Sequence, residues 1–144
     1  MIKVYLAGPF FNKKERIIIE RVHKILKEKG LNVFAPMEHF IENGENMSNR
    51  KWGKAVFKMD VEAIDECDIV VCVYYGMYSD TGTAWELGYA FAKGKPVILV
   101  HVNRDKITSV MTANGAMCNL TLQDLKHYSF RMMIGLNTIK PCQK

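Results

Sequence analysis

Apolar residues recur along this chain in two rhythms, and the alternation between them predicts the fold. Residues 4–7, Val-Tyr-Leu-Ala, form a short continuous apolar run stopped by Gly8-Pro9, which reads as a buried strand and a turn. Asn12 and Glu15 stand at capping-box spacing and open an amphipathic helix, with Ile17, Ile18, Val22, Ile25 and Leu26 expected inward and Gly30 after its end. A second strand is expected over 31–35, halted by Pro36. Residues 37–51 are polar and punctuated by Asn43-Gly44 and Ser48-Asn49, which predicts a long loop. Helical spacing returns over 52–66, with Val56, Met59, Ala63 and Ile64 on one face. Residues 69–75 are apolar on both faces, as a parallel strand covered on both sides requires. A helix over 83–93, ended by Gly94, and a buried strand over 96–102 complete the series.

The order β-α-β-α-β-α-β over residues 2–102 implies an α/β fold, a parallel sheet wound with right-handed crossovers. Beyond residue 102 the period weakens. A short helix or hook is expected over 107–111, and Thr121 with Asp124 is a candidate cap for another. Met132, Met133, Ile134 and Leu136 in the 131–144 tail suit packing against a neighbouring subunit. At 144 residues, 49% hydrophobic and 24% charged, the chain fits a single domain over 1–144. No apolar run approaches the roughly 20 residues that span a bilayer, and the first nine residues read as strand and turn rather than as a targeting segment. A cytoplasmic protein without a membrane partner is expected.

Composition narrows the chemistry further. The four cysteines show no Cys-x-x-Cys spacing, and reduced, buried thiols are expected. His23, His39, His101 and His127 are scattered, so neither a metal nor a cofactor is expected. The net charge of +5 comes from lysines spread over helix faces and both ends, without a basic stripe interleaved with aromatics. No nucleic-acid partner is expected, although anionic small molecules would be mildly attracted. Gly-x-Gly-x-x-Gly after the first strand, the P-loop pattern and the Gly-x-Ser-x-Gly elbow are all absent.

What remains is a set of acids at predicted strand ends. Asp80 and Glu86 follow the third strand, where open α/β sheets bind their ligands. Gly82, Thr83, Ala84 and Gly88 remove bulk around Glu86, although a first-turn glutamate is also favoured by the helix dipole alone. Asp60 lies on the helix before that strand. Asp68 begins the strand, where capping or pairing is the simpler expectation. Trp52 and Trp85 are expected in core or interface packing.

The segments Tyr5-Leu6-Ala7-Gly8-Pro9-Phe10-Phe11, Asp60 ahead of Asp68-Ile69-Val70-Val71, and above all Asp80-Thr81-Gly82-Thr83-Ala84-Trp85-Glu86-Leu87-Gly88 resemble the nucleoside 2-deoxyribosyltransferases. The likeness covers about residues 2–130. It implies a flavodoxin-like, doubly wound sheet and exchange of the base on 2′-deoxyribonucleosides with free nucleobases. It also implies homo-oligomers, typically hexamers built from dimers whose subunits complete each other's sites. Glu86 would be the nucleophile, forming a covalent deoxyribosyl ester with net retention. Asp60 and Asp80 would handle the base and its proton, one carboxyl raising the proton affinity of the other. Tyr5 would attend the nucleophile, Phe11 would pack on the base, and Gly8, Pro9, Phe10, Gly82 and Thr83 would line the substrate.

In the partner-subunit segment, which would also bring Met111, Ser109 stands where the family often has an asparagine for the sugar 5′-hydroxyl. A serine there is similar to the 2′-deoxynucleoside 5′-monophosphate N-glycosidases, which hydrolyse the bond. Asp80 argues against that alternative, because it replaces their phosphate-binding serine with a repelling carboxylate. A nucleotide-sensing module without turnover is the non-enzymatic alternative. Phe40 stands near a polar base-reading position of some transferases; Glu38 and His39 are candidate substitutes or simply loop residues. The 37–51 loop is expected to close over the base.

Overall fold

A computed structural model describes residues 1–103 and 108–133. Five parallel strands, β1 (Lys3–Ala7), β2 (Asn32–Phe34), β3 (Ile69–Tyr74), β4 (Val97–His101) and β5 (Cys118–Thr121), form one sheet in the order β2-β1-β3-β4-β5. The helices are α1 (Lys13–Glu28), α2 (Asn49–Glu66), α3 (Thr81–Ala92), α4 (Val110–Gly115) and α5 (Leu122–His127). This strand order is the flavodoxin-like doubly wound arrangement. Alternate residues of each inner strand feed opposite cores: Val4, Leu6, Val71 and Val73 pack with Ile19, Val22 and Leu26 of α1. Tyr5, Ala7, Cys72 and Tyr74 pack with Ile64 of α2 and Leu87 and Ala90 of α3. Burial on both faces is why these strands read as unbroken apolar runs.

The asparagine cap of α1 forms as expected, with Glu15 N–H donating to Asn12 Oδ1 at 3.0 Å. Asp68 pairs rather than reacts, its Oδ2 accepting from Lys3 N–H at 2.7 Å. Ile17, however, is exposed, and Ile19 takes the inward place. In a run of three isoleucines at about 100° per residue, the face is narrower than the run. The expected 37–51 loop is shorter, broken by turns at Pro36–Glu38 and Gly44–Asn46 and ended by Ser48, which accepts from Lys51 N–H at 3.2 Å to start α2 at Asn49. Trp52 and Trp85 are each 48% exposed, so neither is a core residue.

Strand β5 was not expected. It is a sheet edge carrying exposed Asn119, which hides the apolar pattern. The Thr121–Asp124 cap forms, with Asp124 N–H donating to Thr121 Oγ1 at 3.1 Å. The hook expected over 107–111 is α4, and its first expected residue, Ile107, lies outside the described residues. So does most of the 131–144 tail, with Ile134, Leu136 and Cys142. Cys67, Cys72 and Cys118 are buried. Among the described residues no helix is long and apolar enough to cross a membrane.

Candidate active site

The sheet reverses its winding between β1 and β3, so the chains leaving these strands diverge and open a crevice at their carboxyl ends. β1 brings Tyr5, wholly buried, and ends at Gly8, whose φ is 140°. A Cβ there would lie 3.0 Å from Val73 Cβ and 3.1 Å from the Val73 carbonyl oxygen, so only glycine turns this close to β3. Pro9 is buried behind it. Phe10 packs on the core and stacks with Phe11 at 6.0 Å. Arg16 Nε donates to the Phe10 carbonyl at 3.0 Å, and Phe11 N–H donates to Glu15 Oε1 at 3.1 Å. The first turn of α1 therefore fixes this loop, with the Phe11 ring left 73% exposed.

β3 continues through the Gly76–Tyr78 turn into α3, where Asp80 is the N-cap. Its Oδ2 accepts from Thr83 N–H at 3.1 Å and its Oδ1 from the buried Thr83 hydroxyl. A Cβ on Gly82 would stand 3.1 Å from Asp80 Oδ2, so the glycine leaves the cap its room. Between α2 and α3 lies a cleft of about 420 Å³, lined by Phe57, Asp60, Val61 and Ile64 on one side and Thr81, Gly82, Trp85 and Glu86 on the other.

Burial and then the Asp60 charge push the Glu86 carboxyl up to about 8; the Tyr5 hydroxyl opposes this, and the Asp80 charge adds to it. Burial pushes Asp60 up to about 6, against a downward pull from His39. The Tyr5 phenol is held far above its ordinary range by burial and by the Glu86 and Asp60 charges. Tyr5 Oη lies near enough to Glu86 to stabilise its anion, yet it makes no full hydrogen bond in this structure. Asp60 Oδ1 is likewise buried and unpaired. Orphaned buried polar atoms are costly, so two beside one cleft mark a place where a ligand supplies the missing groups.

The structure thus brings Asp60, Gly82 and Glu86 to one cleft, with Tyr5 against it. The expected pairing of Asp60 with Asp80 takes another form, because Asp80 is turned onto Thr83 and Asp60 acts on Glu86 instead. Ser109 and Met111 are not in this cleft. They line a groove of about 630 Å³ on the opposite face of α3, with Tyr74, Leu87, Phe91 and Val110. Phe57 and Val61 were missed as lining residues. With Asp60 and Ile64 they follow the i, i+3, i+4, i+7 spacing, so the same helical period read one residue further round would have found them. Among the described residues no three His, Cys, Asp or Glu side chains gather as a metal site.

A doubly wound parallel sheet with carboxylates facing each other across a crevice at its switch point defines an α/β enzyme for a small organic ligand. The sequence profile of the nucleoside 2-deoxyribosyltransferases matches residues 4–125. A nucleoside deoxyribosyltransferase of Lactobacillus leichmannii is 25% identical over 139 residues, covering 88% of each chain. The solved 2-deoxyribosyltransferase of Bacillus psychrosaccharolyticus is 32% identical with a TM-score of 0.82, covering 98% of this chain and 99% of its own. A Thermofilum pendens protein assigned as a 2′-deoxynucleoside 5′-phosphate N-hydrolase is 26% identical over 110 residues, 76% of this chain and 73% of its own. The chain belongs to the nucleoside 2-deoxyribosyltransferase family and is an enzyme of this kind.

Proposed function

We propose that this enzyme moves the 2-deoxyribosyl group of 2′-deoxyribonucleosides between nucleobases through an ester on Glu86. The observation that carries the reading is the facing pair of Glu86 and Asp60, with the unpaired Tyr5 hydroxyl beside the former. With one acid raised to about 8 and the other to about 6, the pair holds about one proton at neutral pH. A developing oxocarbenium ion beside Glu86, a basic ring nitrogen beside Asp60 and the Tyr5 hydroxyl all favour the arrangement with Glu86 charged and Asp60 protonated.

Glu86 then attacks C1′ as the C1′–N bond breaks, and the departing base takes the Asp60 proton. A second base attacks C1′ from the original face, the ester bond breaks, and its proton returns to Asp60. Two inversions give net retention. Asp80 supports the step by capping α3, and its negative charge favours the developing oxocarbenium ion; it also disfavours a phosphate at this helix start, which supports nucleosides over 5′-monophosphates. Phe11 is placed to stack on a base at the rim, with Gly8, Pro9, Phe10, Gly82 and Thr83 shaping the loops around it. Ser109 and Met111 face away from their own cleft and are assigned to the sugar site of a neighbouring subunit in a dimer-based, hexameric assembly. Closure of residues 37–47 over the base would exclude water and favour transfer over hydrolysis.

Thymidine with adenine should yield deoxyadenosine, and intact mass spectrometry should find a deoxyribosyl adduct on Glu86. Release of free base from deoxyuridine monophosphate, with thymidine untouched, would replace the transferase with the N-glycosidase.

A further inference from the structure

Three rings form a ladder beside the cleft. Tyr5 and Phe34, paired in register across β1 and β2, stack at 5.7 Å and 13°. Phe34 in turn stacks with His39 at 4.1 Å and 9°. The backbone that carries His39 is fixed: Glu38 N–H donates to the Ala35 carbonyl at 2.9 Å and His39 N–H to the Pro36 carbonyl at 3.1 Å. Glu38 is drawn the other way, its Oε1 lying 3.4 Å from Nδ1 of His23 on α1. The short turn therefore presents Glu38 to α1 and the His39 ring to Phe34. Phe34 also borders α2 at Met59 and Ala63, which flank Asp60, so the stacked His39 ring stands on the side of Phe34 from which its charge draws the Asp60 carboxyl downward.

We propose that His39 is the charge partner of Asp60, a positioning residue that sets how readily Asp60 keeps the proton it gives to the base. This rests on the reading of Asp60 as the acid. The groups facing Asp60 are Tyr5 from β1, Glu86 from α3 and His39 after the Pro36–Glu38 turn. Lys58 on α2 itself pairs with Glu62 at 3.7 Å. Of the facing groups, His39 alone can carry positive charge. A protonated His39 favours the Asp60 carboxylate, so it eases return of the proton from the incoming base; a neutral ring leaves the proton on the acid.

The test follows the Asp60 carboxyl by carbon-13 NMR in the wild type, His39→Gln and His39→Lys, with Asp60→Asn identifying its resonance and base exchange measured alongside over pH. His39 is exposed, and both variants should keep the wild-type melting temperature within a few degrees. His39→Gln should move the Asp60 titration upward and His39→Lys downward, each by about half a pH unit for one charge through partly solvated protein. Shifts in the same direction, or none, overturn the proposal and reduce His39 to a stacking residue. Opposite shifts with an unmoved exchange profile would uphold the pairing while showing that Asp60 is not the acid of the reaction.

Discussion

The two faces of α3 border the two principal cavities around this helix, and they differ in kind. The face carrying Gly82 and Glu86 borders the smaller one, about 420 Å³, where two carboxyls perturb each other and unpaired oxygens wait beside apolar walls. The face carrying Leu87, Gly88 and Phe91 borders the larger one, about 630 Å³, which has no charged residue in its lining. Met111 and Val110 stand 83% and 74% exposed at its edge. Size therefore does not mark the chemistry. Carboxyls near one another in poor solvation store reactivity, whereas an uncharged groove with protruding aliphatic side chains suits docking.

Breaking the reactive face should have the largest effect. Glu86→Gln should lower kcat for base exchange by about four orders of magnitude, as removal of a nucleophile does, and abolish the mass-shifted enzyme. Asp60→Asn should cost about 10²–10⁴ in kcat, with the loss shrinking for bases that leave readily as anions. An equal loss across a leaving-group series would remove Asp60 from the role of acid.

The same face should also reveal itself in stability. An acid raised from 4.5 to about 8 binds its proton more tightly in the folded state. Wild-type stability contributed by Glu86 is therefore complete below about 4.5 and lost as pH rises toward 8. Glu86→Gln should escape this loss and be more stable at pH 8 by about 2 kcal/mol after allowance for partial exposure. Urea unfolding of both proteins at pH 5 and pH 8 would show it. A variant no more stable at pH 8 would mean Glu86 is not held protonated.

On the docking face, Met111→Ala should raise KM for nucleoside about tenfold with kcat nearly kept, for loss of about 1.4 kcal/mol of apolar contact. At nucleoside concentrations well below KM, subunits carrying Met111→Ala mixed with subunits carrying Glu86→Gln should show a component with the wild-type KM, since some sites then combine an intact acid with an intact Met111. Absence of that component would place Met111 in its own subunit's site. The smallest effect belongs to Tyr74→Phe. The Tyr74 hydroxyl accepts from Ser109 N–H at 3.1 Å and meets Thr112 Oγ1 at 2.9 Å, anchoring the start of α4. Its removal should cost about 1 kcal/mol of stability and leave the Asp60 titration unmoved.

Much of this was legible along the chain because local chemistry repeats in local structure. Apolar runs on both faces specify buried parallel strands, Asn12 and Thr121 specify caps, and Gly8 specifies a turn against a neighbour; the 80–88 stretch identified the family. A sequence orders residues in one dimension, whereas reactivity depends on distances and solvation in three. The register Tyr5↔Phe34 and the packing of α2 on α3 decided that Asp60 faces Glu86 and that Asp80 serves as a cap. The same packing put Ser109 across the helix from Glu86 and brought the His39 ring onto Phe34 beside Asp60. Charges act through space and burial, and neither is carried by separation along the chain.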